Sequence, residues 1–161
     1  MHGFLTWMYA SALGHFMRES GPWTYAIVNL GHILGIAALF GAVLIIDLRL
    51  LGCWRRTPLA VLTHVAVPVA AGGFVVAALS GVGLLAANAT EYVGNPFFYV
   101  KFPAIAIGLV NAFVVSVSPA WEASRTRELT SLENRQLAFM GATSLACWLT
   151  AIGAGRMIGY W

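Results

Sequence analysis

Charged residues are missing from four stretches of this chain, and each stretch is long enough to be a helix that crosses a bilayer. Residues 21–46 hold no charge and a single His, His32, and residues 57–90 hold none and a single His, His64. Residues 102–121 follow a lone Lys101, and residues 136–155 precede Arg156. A hydrocarbon core about 30 Å thick takes about 20 apolar helical residues to cross. Trimmed at Pro, Asn and polar positions, the pattern predicts spans near 25–47, 60–87, 97–118 and 136–158. Backbone groups in lipid must pair internally, which leaves helices or closed barrels, and no ten-residue alternation points to a barrel.

Ahead of the first span, Phe4, Leu5, Met8, Ala12, Phe16 and Met17 recur near helical spacing, with Thr6, Ser11, His15 and Arg18 between them. This predicts a short amphipathic helix over residues 3–18, lying in the membrane interface. The first twenty residues lack the basic start and small-residue cleavage site of a signal peptide. Gly21-Pro22 ends the segment. The predicted fold is all-α: an integral membrane four-helix up-down bundle, one transmembrane domain over residues 1–161, with a short N-terminal interfacial amphipathic helix.

Composition agrees. Hydrophobic residues make up 60% of the chain and charged residues 9%, with a mean hydropathy of +0.80, where a soluble domain carries about 25% charge. That excludes an ordinary soluble enzyme and a disordered segment. Nine Lys and Arg against six Asp and Glu are too few for a nucleic-acid face. Their placement says more. Arg49, Arg55 and Arg56 fall in the first loop and Arg125, Arg127 and Arg135 in the third. An even number of spans puts both loops on one side, cytoplasmic by the positive-inside rule. The expectation is a multi-pass protein of the bacterial inner membrane with both termini periplasmic. Trp54 and Trp121 then suit an inner aromatic belt, and Trp23, Tyr25, Tyr92, Tyr99, Tyr160 and Trp161 an outer one. Cys53, in a loop, and Cys147, within the fourth span, cannot meet, and no CxxCH occurs for covalent haem attachment.

Ionisable groups at membrane depth are costly and mark candidate chemistry. His32 lies about seven residues into the first span and Lys101 about four into the third, so at about 1.5 Å per residue their depths match within one turn. Arg156 reaches the same level near the end of the fourth span, with Asn29, Asn88 and Glu91 toward the rim. Haem b needs an axial ligand, commonly His, and cations for its propionates. Here His32 is the candidate iron ligand, Lys101 a second ligand or propionate partner, and Arg156 a propionate partner. Gly31, Gly35 and Ala38 would let a flat macrocycle approach. The same residues have plainer readings: Gly31-x-x-x-Gly35 packs membrane helices closely, Lys101 snorkels, and Arg156 anchors the interface.

His64 and Met140 lie at similar depth in the second and fourth spans and could ligate a second haem; packing is the plainer role for Met140. His2 and His15 with Met1, Met8 or Met17 could bind a soft metal such as copper. Asp47 and Arg49, two apart, do not face each other along a helix, so Asp47 is expected to clamp to Arg135 or Arg125. Asn111 is expected to hydrogen-bond between helices. No phosphate loop, HExxH motif or paired intramembrane carboxylates occur, so no enzyme class is indicated.

The segments Gly31-His32-Ile33-Leu34-Gly35, Asp47-Leu48-Arg49-Leu50-Leu51-Gly52 and Asn95-Pro96-Phe97-Phe98-Tyr99-Val100-Lys101, in this order, resemble a bacterial family of small integral membrane proteins of unknown function, over most of the chain. More distantly, a first-helix His, an Arg at that helix's inner end and a Lys opening the third helix are similar to HemJ-type protoporphyrinogen oxidases. The copper-resistance protein D family shares the small helical bundle. The HemJ likeness implies haem b at His32 and Lys101. The sequence departs from it in lacking a His near the inner end of the first helix, a YLPR-like block, and a His within residues 114–118.

The leading expectation is a haem b protein passing electrons between the quinone pool and a periplasmic redox partner, with the lipid bilayer as its medium and no nucleic acid involved. A cofactor-free anchor or accessory subunit of a larger membrane complex is the alternative, and a copper-handling permease a third.

Overall fold

The computed structural model describes residues 2–161, with His2 described by its backbone alone. All regular structure among these residues is helical. In chain order the helices are α1 (His2–Tyr9), α2 (Ala12–Glu19), α3 (Pro22–Leu50), α4 (Leu59–Asn88), α5 (Pro96–Val117), α6 (Pro119–Thr126) and α7 (Ser131–Ile158), with a 3-10 turn at Ala89–Tyr92. α3, α4, α5 and α7 are long and apolar enough to cross a membrane, with mean hydropathies of 2.3, 2.1, 1.9 and 1.6 over their most apolar windows. Even the shortest, α5 with 22 residues, extends about 33 Å. Their outward faces are apolar too: Ile27, Leu30, Ile33 and Leu34 on α3, Val65 and Leu79 on α4, Val110 and Phe113 on α5, and Leu149 on α7 are all exposed. Helices apolar on every side belong in lipid. This is a multi-span membrane protein.

The helix ends follow local chemistry. The amphipathic segment is two helices rather than one, because Ser11 takes extended backbone and its Oγ accepts from the Gly14 N–H, capping α2 anew. Gly21 adopts φ +83 and Pro22 occupies the first position of α3, where a missing N–H is harmless. Ser118-Pro119 likewise starts α6, a short helix the hydrophobic pattern did not predict. α7 begins five residues earlier than predicted, at a capping box in which Thr130 Oγ1 accepts from the Glu133 N–H and the Glu133 carboxylate accepts from the Thr130 N–H.

The chain divides into two compact units. The first holds the chain up to Leu39 and Val69–Asn95. Within it α3 and α4 touch backbone to backbone. A Cβ on Gly35 would stand 2.7 Å from the Ala77 nitrogen, and one on Gly73 would stand 2.5 Å from the Leu39 nitrogen. α2 seats on the end of α4, with Met17 over Gly83 and Gly14 against the Ala86 carbonyl. The Arg18 guanidinium lies 3.8 Å from the Tyr9 ring centre and donates to Ala86 O at 3.4 Å.

The second unit holds Phe40–Pro68 and Pro96–Trp161. α5 and α7 pair within it. α7 buries Leu137, Gly141, Ser144, Trp148 and Ala151, an alternation of four and three that keeps one stripe on its partners. Gly108 of α5 meets Cys147 and Trp148, and Asn111 Nδ2 donates to the Met140 carbonyl at 3.0 Å, the interhelical role expected of it. Where α6 closes over α7, Leu59, Ala120, Trp121 and Leu137 form an apolar cluster. Trp121 is thus buried rather than belonging to an aromatic belt. Of the six tryptophans only Trp121 and Trp148 are buried; Trp7, Trp23, Trp54 and Trp161 are exposed.

Candidate functional site

His32 sits on the α3 face turned to α4 in the first unit. Its Nδ1 lies 2.9 Å from the Ala77 carbonyl oxygen and 3.1 Å from Ser80 Oγ. A carbonyl only accepts, so Nδ1 is the donor in this bond. Ser80 is held in turn by the Val76 carbonyl. Gly81 makes room: a Cβ there would lie 3.0 Å from His32 Cε1. This lock of imidazole onto a helix backbone required knowing which face of α4 is opposite, and the sequence carries no local sign of it. Gly31 has nothing within 4 Å of where a Cβ would be, whereas Gly35 is closed off by α4. Of the two glycines flanking His32, one therefore serves helix packing.

Lys101 and Arg156 belong to the second unit. The Lys101 side chain crosses to α7, its Nζ 3.4 Å from where a Cβ on Gly155 would stand, in the turn that carries Arg156. Arg156 turns away along its own helix, its guanidinium over the Tyr160 ring at 4.6 Å and hydrogen-bonded to the Tyr160 hydroxyl. His64 is exposed on α4. Met140 packs against the apolar cluster of Leu59, Trp121 and Leu137.

Asp47 departs from expectation. It is 3% exposed and makes no ion pair among the described residues; Ser144 of α7 is its hydrogen-bond partner, and Oδ2 has none among the described residues. The expected clamp to Arg135 or Arg125 is not formed, because Asp47 faces the small stripe of α7, where Gly141 lies 3.3 Å (as a built Cβ) from the Asp47 carbonyl oxygen. Arg49 instead donates to the Thr57 and Arg55 carbonyls at 2.9 and 3.2 Å. The acid–base contacts among the described residues are the hydrogen-bonded His15 and Glu19 and the ion pair Arg127–Glu133. The second is a two-pronged pair at 2.7 and 2.9 Å that raises the Arg127 pKa further above its ordinary value, chiefly through those hydrogen bonds.

Of the residues considered for copper, Met1 and the His2 side chain lie outside the described residues. His15 Nδ1 is 3.3 Å from Glu19 Oε1, and Met17 is buried against Gly83. No group of three His, Cys, Asp or Glu suited to a metal ion occurs among the described residues.

No curated protein and no solved structure matches the chain, so the distant likeness to HemJ-type oxidases and copper-resistance proteins finds no support there. A family model, described as "Family of unknown function (DUF6644)", matches residues 4–161, and the chain belongs to that family.

Proposed function

We propose that the protein is a haem b-binding membrane protein that passes electrons between the quinone pool and a periplasmic redox partner, with His32 as an axial ligand. The supporting observation is the bond from His32 Nδ1 to the Ala77 carbonyl. A metal-ligating histidine characteristically holds its other ring N–H on a backbone carbonyl or carboxylate, which sets the tautomer and raises ligand basicity. His32 has that arrangement, and its ring orientation is further set by Ser80 and Gly81. His32 would be the residue that holds the iron. Bound there, haem would supply a one-electron ferrous–ferric couple; the chain holds the imidazole at a fixed position within an apolar span. Lys101 and Arg156 belong to the other unit, and the reading rests on His32 alone. By the positive-inside rule the arginine-bearing loops face the cytoplasm and both termini the periplasm of a bacterial inner membrane, with α1 and α2 in the outer interface.

Expression with ample haem, followed by purification in mild detergent, is expected to give a Soret band that His32→Ala abolishes. Protein without the band overturns the proposal, and a His32→Ala variant with the wild-type spectrum removes the ligand assignment. A second reading, a cofactor-free anchor or accessory subunit, draws on the backbone contact of Gly35 and Gly73, in which the His32 bond serves helix association. It expects no absorbing cofactor, tolerance of His32→Gln, and co-purification with a partner subunit.

A further inference from the structure

The second unit carries a half-open groove of about 790 Å³ at the ends of its spanning helices. Arg49, Arg55, Arg56, Arg127 and Arg135 line it, and the sole carboxylate among the lining residues is Glu128. Among the described residues, Arg127 is the one of the five guanidiniums that is ion-paired. Arg49 is fixed by two backbone carbonyls, and Arg55 folds over Gly52, its Nη2 2.8 Å from where a Cβ there would stand. Arg56 and Arg135 are exposed and have no hydrogen-bond or ion-pair partner among the described residues. The groove is also lined by the exposed Leu51 and half-buried Leu50, so its charged rim adjoins apolar side chains. Like charges gathered around one concavity repel unless an anion is shared between them, and guanidiniums match phosphate oxygens two-pronged.

We propose that this groove binds a phosphate group at the membrane boundary, supplied by the headgroup of an anionic phospholipid. Position and lining argue for the lipid. The groove opens where the last turn of α3 and the first turns of α4 and α7 leave the apolar spans. Basic pockets at such helix ends suit anionic headgroups, and Leu51, exposed in the same lining, meets the glycerol and first methylenes of the acyl chains. The site is independent of any haem at His32.

The test is lipid retention by the purified full chain in neutral detergent, read by native mass spectrometry and by the melting temperature. Phosphatidylglycerol is compared with phosphatidylcholine and with inorganic phosphate. One phosphatidylglycerol per chain is expected to be retained and to raise the melting temperature, with phosphatidylcholine displaced readily. Arg56→Gln and Arg135→Gln are each expected to weaken retention about tenfold, the scale of one charge-assisted hydrogen bond. Arg125→Gln, an equal loss of charge at an exposed arginine outside the groove lining, is expected to leave retention unchanged. Equal retention of the two lipids, or equal loss in all three variants, overturns the site. A full melting shift from inorganic phosphate with no lipid retained overturns the lipid as its source.

Discussion

Two adjacent glycines of α4 show how finely this fold is set at single positions. Gly73 faces α3, with a built Cβ 2.5 Å from the Leu39 nitrogen and 2.8 Å from the Gly35 carbonyl, whereas Gly72 has nothing within 4 Å. Those neighbours are backbone and cannot rotate away, so one methyl group must push the helices apart. Gly73→Ala is expected to destabilise the first unit by about 1–3 kcal/mol, as overpacking does, and to loosen the His32 bond to Ala77. Gly72→Ala is expected to be neutral or mildly stabilising, since alanine favours helix by up to about 1 kcal/mol. Thermal unfolding in detergent, followed by circular dichroism, checks the pair; equal effects would refute the seam. Asp47 makes a complementary point: its charge was visible in the sequence, but its partner, Ser144, is a neutral residue nearly a hundred positions later.

At the scale of elements, α7 owes its start to Thr130 and Glu133. Thr130→Ala removes the side-chain acceptor of the capping box and is expected to lower stability by about 1 kcal/mol, with faster amide exchange confined to the first turn of α7. Glu133→Gln keeps an acceptor for the Thr130 N–H and loses the Arg127 pair, so exchange there should rise less. Unchanged exchange in Thr130→Ala would show that packing alone starts the helix. The spans themselves were legible because a bilayer imposes length and apolarity on every residue of a crossing segment. Hydropathy places the boundary of α7 where charge ends, at 136, and so misses the polar first turn that the capping box starts. α6 has only eight residues, four of them polar, too short a run for a hydrophobic period to register. The arginine groove was invisible for another reason: Arg49, Arg55 and Arg56 read as topology signals, and their meeting with Arg127 and Arg135 is a property of folding.

For the whole molecule, the orientation proposed from the arginine loops has a direct check in its cysteines. Cys53 is exposed in the loop after α3, and Cys147 is half-buried within α7. In intact cells a membrane-impermeant maleimide is expected to leave both unlabelled, and permeabilisation should expose Cys53 alone. Labelling of Cys53 in intact cells would invert the topology. The apolar faces of the four spans dictate the medium, while polar groups within them, His32, Asp47, Lys101 and Asn111 among them, set this chain apart from a bundle of purely apolar helices.

The distribution of tryptophans governs how the protein will look under ultraviolet light. Trp121 and Trp148, the two buried indoles, both belong to the second unit, while Trp7 and Trp23 of the first are exposed. Intrinsic emission therefore reports loss of packing in the second unit only. The exposed indoles answer mainly to lipid or detergent, so a spectral shift on changing detergent is no sign of unfolding. Melting of the first unit, which carries His32, is nearly silent to fluorescence and visible through its helical signal.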